Sequence, residues 1–324
     1  MPRAVELPDV AAAARRIVGS AWRTPLVPSQ WLSRITGADV WLKLETVQAT
    51  GSFKIRGAAN AVARLKEANP SITGVTTASA GNHGLALATA GRRFGVNVRV
   101  HLPAGAPDAK RQSLERLGAE MVDAPTYDEA EAAAQDDVRR TGTTFVSAYS
   151  HPDVIAGAGT VALEMLEERP DLDTFVVPLG GGGLLSGTAA VVRALVQQGT
   201  VIGAEADASP VFTGALAAGR PVTVDVRPTL ADGLAGNMEP DSVTFHLVRD
   251  LVDRVLLVRE TFIASAMRDL ILQDRLVAEG AAATAAGALL QGDLDLRGRR
   301  VGVILSGRNV DGRVLHRVLA DGPA

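Results

Sequence analysis

Short β-branched apolar runs alternate along the chain with longer, Ala-rich stretches whose apolar positions recur at helical spacing. Val75–Thr77, Val96–Leu102, Thr144–Ser147, Phe175–Leu179, Val201–Glu205, Val255–Val258 and Val301–Leu305 read as strands. Asn82–Phe94, Pro107–Leu117, Tyr127–Arg140, Gly159–Glu168, Leu185–Gln197, Glu260–Arg275 and Ala281–Gln291 read as helices. Such alternation predicts βαβ units and mostly parallel sheets covered on both faces, an α/β fold. Two Gly-rich segments, Thr76–Gly84 and Val177–Gly187, fall where a strand ends and a helix begins. Ligands of open α/β sheets bind just past the carboxyl ends of strands, so these loops are the first candidates for a site.

Composition narrows the classes. The 324 residues are 47% hydrophobic and 21% charged, a globular balance with room for a sizeable core. A net charge of -3 gives no reason to expect nucleic acid or an anionic membrane as partner. The absence of cysteine excludes disulfides, Cys-ligated metal and a Cys nucleophile. The N-terminus carries early charges and no long apolar run, and Ala281–Leu290 is too short to span a bilayer. A soluble, cytoplasmic protein is expected.

Four segments can carry chemistry. Gly180–Gly181–Gly182–Gly183 leave their backbone N–H groups unobstructed ahead of a helix, a combination that binds a phosphate dianion or simply closes a tight turn. The segment has neither the Lys-Ser/Thr of a P-loop nor the acidic partner of a dinucleotide fingerprint. In Gly51–Gly57 (GSFKIRG), Lys54 lies between an aromatic and an aliphatic residue. Desolvation there would lower its pKa and free an amine for imine formation, although the heptapeptide alone reads as well as a surface Lys at a helix start. Ser79, Gly81 and Asn82 place donors for a carboxylate at a helix N-terminus, where Ser and Asn also serve as caps, and His83 reads as a base or a hydrogen-bonding residue of the turn. Ser306 ends an apolar strand and could meet a heterocycle nitrogen or cap a helix; Glu279–Gly280–Ala281 has the same ambiguity.

In their order, these segments resemble the fold-type II family of pyridoxal 5′-phosphate (PLP) enzymes, the tryptophan synthase β-like fold, and within it the threonine/serine dehydratase and serine racemase branch. The resemblance runs from Arg23–Thr24–Pro25–Leu26 through LKLE at Leu42–Glu45, GSFKIRGA, SAGNHG, VIAGAGT at Val154–Thr160, GGGGLLSG and Leu230–Ala231–Asp232–Gly233 to Ser306–Gly307–Arg308–Asn309. It implies two lobes, each a mainly parallel sheet flanked by helices: a large PLP-binding domain, 1–72 and 149–324, and a small domain, 73–148. It implies that Lys54 holds PLP as a Schiff base and removes the Cα proton. Phe53 would pack near the ring, Asn82 would bond the 3′-oxygen, Gly180–Gly183 with Leu184 would cradle the phosphate, and Ser306 would face the ring nitrogen. Ser79, Ala80, Gly81 and His83 would form the loop that takes the substrate carboxylate. The implied reaction is β-elimination of water from a small β-hydroxy amino acid, giving a 2-oxo acid and ammonia, in a homodimer.

Departures sharpen the expectation. Racemising members carry a Ser where this chain has Ala80, and Ala has no proton to give to the opposite face of Cα. The racemase-like cation site begins at a Glu, here Glu205, but its later position is Val211, so no metal is expected. Ala158 replaces the common Gln. The regulatory domain of feedback-inhibited dehydratases is not expected. Gly233–Pro240 (GLAGNMEP) looks like a subgroup that includes dehydratases of hydroxyectoine degradation, which keeps another β-hydroxy amino acid, such as phenylserine or 3-hydroxyaspartate, as an alternative substrate. Serine racemase, a non-catalytic PLP binder and an NAD-binding oxidoreductase are the remaining readings.

Overall fold

A computed structural model describes residues 5–79, 81–105 and 108–320. The strands are β1 (Leu26–Pro28), β2 (Asp39–Leu44), β3 (Gly74–Ala78), β4 (Asn97–Pro103), β5 (Glu120–Ala124), β6 (Thr144–Phe145), β7 (Thr174–Pro178), β8 (Thr200–Ala206), β9 (Arg254–Val258) and β10 (Arg300–Leu305). The first seven helices are α1 (Leu7–Arg16), α2 (Gln30–Thr36), α3 (Lys54–Ala68), α4 (Asn82–Phe94), α5 (Asp108–Arg116), α6 (Tyr127–Thr141) and α7 (Pro152–Glu168). The rest are α8 (Gly183–Leu195), α9 (Val211–Ala218), α10 (Val243–Leu251), α11 (Glu260–Asp269), α12 (Gly280–Leu290) and α13 (Gly312–Ala320).

Two sheets form two lobes. The larger has the order β1-β2-β10-β7-β8-β9, parallel except for β1, and the smaller is β5-β4-β3-β6, parallel throughout. Burial on both faces explains why β7 from Phe175 and β10 from Val301 are apolar without interruption. In β10, Val301, Val303 and Leu305 enter one core with α11 and α12, while Ile304 enters the opposite core with α7 and α8. In β7, Val176 takes the first core and Phe175 and Val177 the second, as the period of two requires. A third core joins α3 and α4 to β3 and β4 of the smaller sheet.

Several elements differ from the sequence reading. Helix α7 begins at Pro152 rather than Gly159, because His151 accepts the N–H of Asp153 and Pro152 suits a first turn. Its glycines make close crossings possible: a Cβ at Gly157 would lie 2.7 Å from Gly57 Cα, and one at Gly159 would lie 2.9 Å from the Gly187 carbonyl oxygen. The helix expected over 260–275 ends at Asp269; a π-helical turn follows over Leu270–Asp274 and stops at Arg275, whose φ is +61°. The strand expected over 144–147 is only Thr144–Phe145, and α5 runs Asp108–Arg116, with Pro107 outside the described residues.

In the larger sheet, β7 and β10 are neighbours, and the chain leaves β7 toward β8 on one side and reaches β2 on the other. That reversal is a switch point, where parallel neighbours open a crevice at their carboxyl ends. Both the glycine loop after β7 and Ser306 after β10 open there.

Candidate active site

Lys54 starts α3, and the strand end of β10 fixes that start. Phe53 N donates to Ser306 O at 2.9 Å, Ser52 pairs with Gly307 in an isolated antiparallel bridge, and Arg308 N donates to Gly51 O at 2.9 Å. Lys54 Nζ lies 5.1 Å from the centroid of the Phe53 ring and donates to Ala148 O at 2.8 Å. Burial lowers its pKa from 10.5 to about 8, partly opposed by Glu279. The amine is therefore available as a free base far below the pH at which an exposed lysine would be.

Behind α3 lies a largely buried set of charges. Arg56 Nε and Nη2 donate to Glu45 at 2.8 Å each, and its Nη1 and Nη2 reach Glu164 at 2.6 and 2.9 Å. Lys43 Nζ donates to Glu164 at 2.6 Å and to Thr24 O at 2.7 Å. Two cations meet two carboxylates, so the group is neutral overall, and it ties α3 to β2 and α7 two residues from Lys54. Its sequence trace was LKLE and Arg56, charges inside otherwise apolar runs.

The glycine loop is shaped by packing as well as by turning. Gly182 has φ +84°, and a Cβ there would sit 2.6 Å from Phe212 Cζ. A Cβ on Gly181 would collide with the Tyr149 ring, and one on Gly180 would come 2.9 Å from Leu234 Cα. Thr244 Oγ1 donates to Gly181 O at 2.8 Å and holds the loop from outside. Helix α8 starts at Gly183, with Leu184 next, so the positive end of its dipole faces the same crevice.

Helix α4 brings the third segment in. Asn82 Nδ2 donates to Glu279 Oε1 at 2.8 Å, and Asn82 Oδ1 accepts from Asn309 Nδ2 at 2.7 Å. Ser79 and Gly81 form the turn before α4, with Gly81 N donating to Ser79 Oγ at 3.3 Å; Ala80 lies outside the described residues. His83 is 2% exposed, and its Nε2 faces Val146 O at 3.0 Å. Burial and the Lys54 charge push its pKa down to about 3, so the ring is neutral and Nε2 carries the proton donated to Val146. His83 is thus held by the smaller sheet. Ala158 is buried on α7, and nothing in the structure explains its replacement of the usual Gln.

Sequence reasoning missed Tyr149, Asn309 as a partner of Asn82, and Glu239. Glu239 Oε1 accepts from Ser147 Oγ at 2.7 Å, while Glu239 N donates to Tyr149 Oη at 2.8 Å. The segment around Glu239 is therefore laced to the loop whose Ala148 carbonyl receives Lys54. Burial raises the Glu239 pKa, opposed by hydrogen bonds from Ser147, Ser150 and Tyr149. An acid raised on folding contributes stability that is lost as pH rises through its folded pKa. Glu239→Gln should therefore melt higher than the parent at pH 8 and show little difference at pH 5; a larger gain at pH 5 would refute the assignment. Glu205, also buried, accepts N–H groups of Phe212 and Thr213 at 2.6 and 3.0 Å and the Thr213 hydroxyl at 2.7 Å, so it caps the start of α9. No group of three or more His, Cys, Asp or Glu side chains suited to a metal occurs among the described residues.

The residues fit PLP on what they leave unspent. Ser52 Oγ, just before Phe53, and Ser186 Oγ, in the first turn of α8, are buried without a partner among the described residues. A low-pKa amine, an amide, a helix N-terminus and a turn restricted to glycine converge with them.

Comparison with known proteins agrees. Residues 17–307 match the family model described as pyridoxal-phosphate dependent enzyme. The chain is 40% identical over 319 residues to an L-threonine ammonia-lyase of Thermotoga maritima, covering 98% of this chain and 79% of the relative. It is 35% identical over 310 residues to the catabolic L-threonine dehydratase of Escherichia coli K12, covering 95% and 94%. The structure of maize serine racemase superposes with a TM-score of 0.91 at 30% identity, over 98% of both chains. Sequence motifs, two-lobed fold and relatives coincide: the chain belongs to the pyridoxal-phosphate dependent enzymes of fold type II, in their threonine/serine dehydratase branch.

Proposed function

We propose that this protein is a threonine/serine ammonia-lyase: water is eliminated from the β-hydroxy amino acid, and hydrolysis of the resulting enamine takes one water back to give a 2-oxo acid and ammonia. The observation that carries the reading is the Lys54 amine, with its pKa lowered to about 8, at the crevice that the glycine loop and Ser306 share. Gly180–Gly183 and Leu184 would hold the cofactor phosphate, Asn82 the 3′-oxygen, Phe53 the ring face and Ser306 the ring nitrogen. Bound PLP supplies the electron sink that makes the amino acid's Cα–H acidic. Lys54 then takes the Cα proton on the face where its amine stands, and Ser79, Ala80, Gly81 and His83 belong to the loop that orients the substrate carboxylate. A neutral hydroxyl at Ser306 can hydrogen-bond the ring nitrogen without charging it. The lobes are proposed to divide into 1–72 with 149–324 and 73–148, which the confinement of the smaller sheet to residues 74–145 supports. We extend the reading to a cytoplasmic homodimer; exposed Val18 and Trp22 offer apolar surface on one turn for a second copy. No helix among the described residues is long and apolar enough to cross a membrane.

The test is 2-oxo acid release, with added PLP, from L-threonine, L-serine, D-serine, L-threo-phenylserine and 3-hydroxyaspartate. Turnover of L-threonine or L-serine is expected. Turnover of only phenylserine or 3-hydroxyaspartate would keep the mechanism and replace the substrate, and silence across the panel would refute the reading.

A further inference from the structure

Glu279 is left without a role by the reaction, yet it is 5% exposed and lies between α4 and the end of β10. It occupies the position before α12, but its side chain caps no N–H of that helix. Its Oε1 accepts one N–H of the Asn82 amide, while the Asn82 oxygen accepts Asn309 Nδ2, which also donates to Thr50 O at 2.8 Å. Gly307 is required beside this network, since a Cβ there would lie 2.5 Å from Glu279 Oε1. An amide has two acceptor-seeking N–H groups and one oxygen. With the oxygen taken by Asn309 and one N–H by Glu279, only the second N–H of Asn82 is left to give.

We propose that Glu279 is a positioning residue that fixes the Asn82 amide in the orientation that leaves this N–H for the ring oxygen of PLP. The inference rests on the role proposed above for Asn82. Without a carboxyl acceptor at 279, the amide can turn over and present its oxygen, which repels another oxygen. Burial first, then repulsion from Asp232, raises the Glu279 pKa to about 7, opposed by the bonds from Asn82 and Asn309 and by Lys110; Lys54 is the other charged group it faces. Its charge therefore changes near neutrality, and the electronic environment of Asn82 changes with it.

The experiment measures the PLP dissociation constant and the visible spectrum of the holoprotein for the parent, Asn82→Ala, Glu279→Ala, Glu279→Gln and the double alanine variant. Each alanine variant should bind PLP about tenfold more weakly, and the double variant no worse than the weaker single. Losses that multiply to about a hundredfold would show that Glu279 acts independently of Asn82 and overturn the proposal. If Glu279→Ala fails to fold, Glu279→Gln carries the test, because its amide oxygen still accepts the bond. It should bind PLP within about twofold of the parent but lose the spectral change near pH 7. A Gln variant whose spectrum titrates like the parent's would equally overturn it. A parent that binds PLP but releases no 2-oxo acid would refute the proposed reaction and leave the Asn82–Glu279 coupling measurable in the same spectra.

Discussion

Lys54→Ala is expected to lower 2-oxo acid release from L-threonine by at least about a thousandfold, the scale of losing a positioned base, with loss of the covalent cofactor link in addition. The fold should survive, because among the described residues the only side-chain hydrogen bond lost is the one to Ala148 O. Removing the buried amine even relieves a cost. The folded pKa of about 8 lies below 10.5, so the unfolded chain binds more protons between those values, and Lys54 detracts from stability below about pH 8. The variant should thus melt no lower than the parent at pH 7, with any advantage shrinking toward pH 10. Capture of added PLP by the parent apoprotein should speed up as pH rises through about 8, where Lys54 loses its proton. Retained turnover in Lys54→Ala would remove the base from the mechanism. A capture rate still rising toward pH 10.5 would instead place the amine in water.

Arg56→Leu should produce the largest loss of stability. Glu45 has a fully buried side chain and Glu164 is 15% exposed, so the substitution leaves two carboxylates against Lys43 alone. Breaking such a group by removing one partner costs about 3–5 kcal/mol. For a chain of this size that is on the order of 10 °C in melting temperature. Burial pushes the Glu164 carboxyl up, but Arg56 and Lys43 more than reverse this and hold it below its ordinary value. A depressed carboxylate contributes stability above its unfolded pKa and loses it as pH falls through the folded one. The gap between Arg56→Leu and the parent should therefore be widest near neutrality and narrow in acid. Arg56→Lys keeps the charge but not the fork that meets two carboxylates, so it should fall between them. Turnover should fall as well, because Arg56 anchors the turn of α3 that begins at Lys54. A melting temperature within a degree of the parent would mean that the network contributes nothing net.

By itself the sequence determined the α/β class, the central strands and the candidate chemistry. β7, β8 and β10 were legible because burial on both faces forces continuous apolar runs, and the glycine loop because backbone geometry and close packing both exclude side chains there. Local pattern failed where the selecting contact is remote. β2 was missed because Lys43 interrupts its apolar run, and its neutralising partner Glu164 is 121 residues away. The start of α7 was placed late because Gly157 and Gly159 weaken a helix locally; only their crossings with α3 and α8 show why glycine is needed. The family resemblance implied Asn82 as a ligand for the 3′-oxygen, but the side chains its amide bonds, Glu279 and Asn309, lie 197 and 227 residues on. Propensity and periodicity act over a few residues, whereas charge compensation and amide orientation are set by whatever the fold brings within 3 Å, so only the tertiary structure decided them.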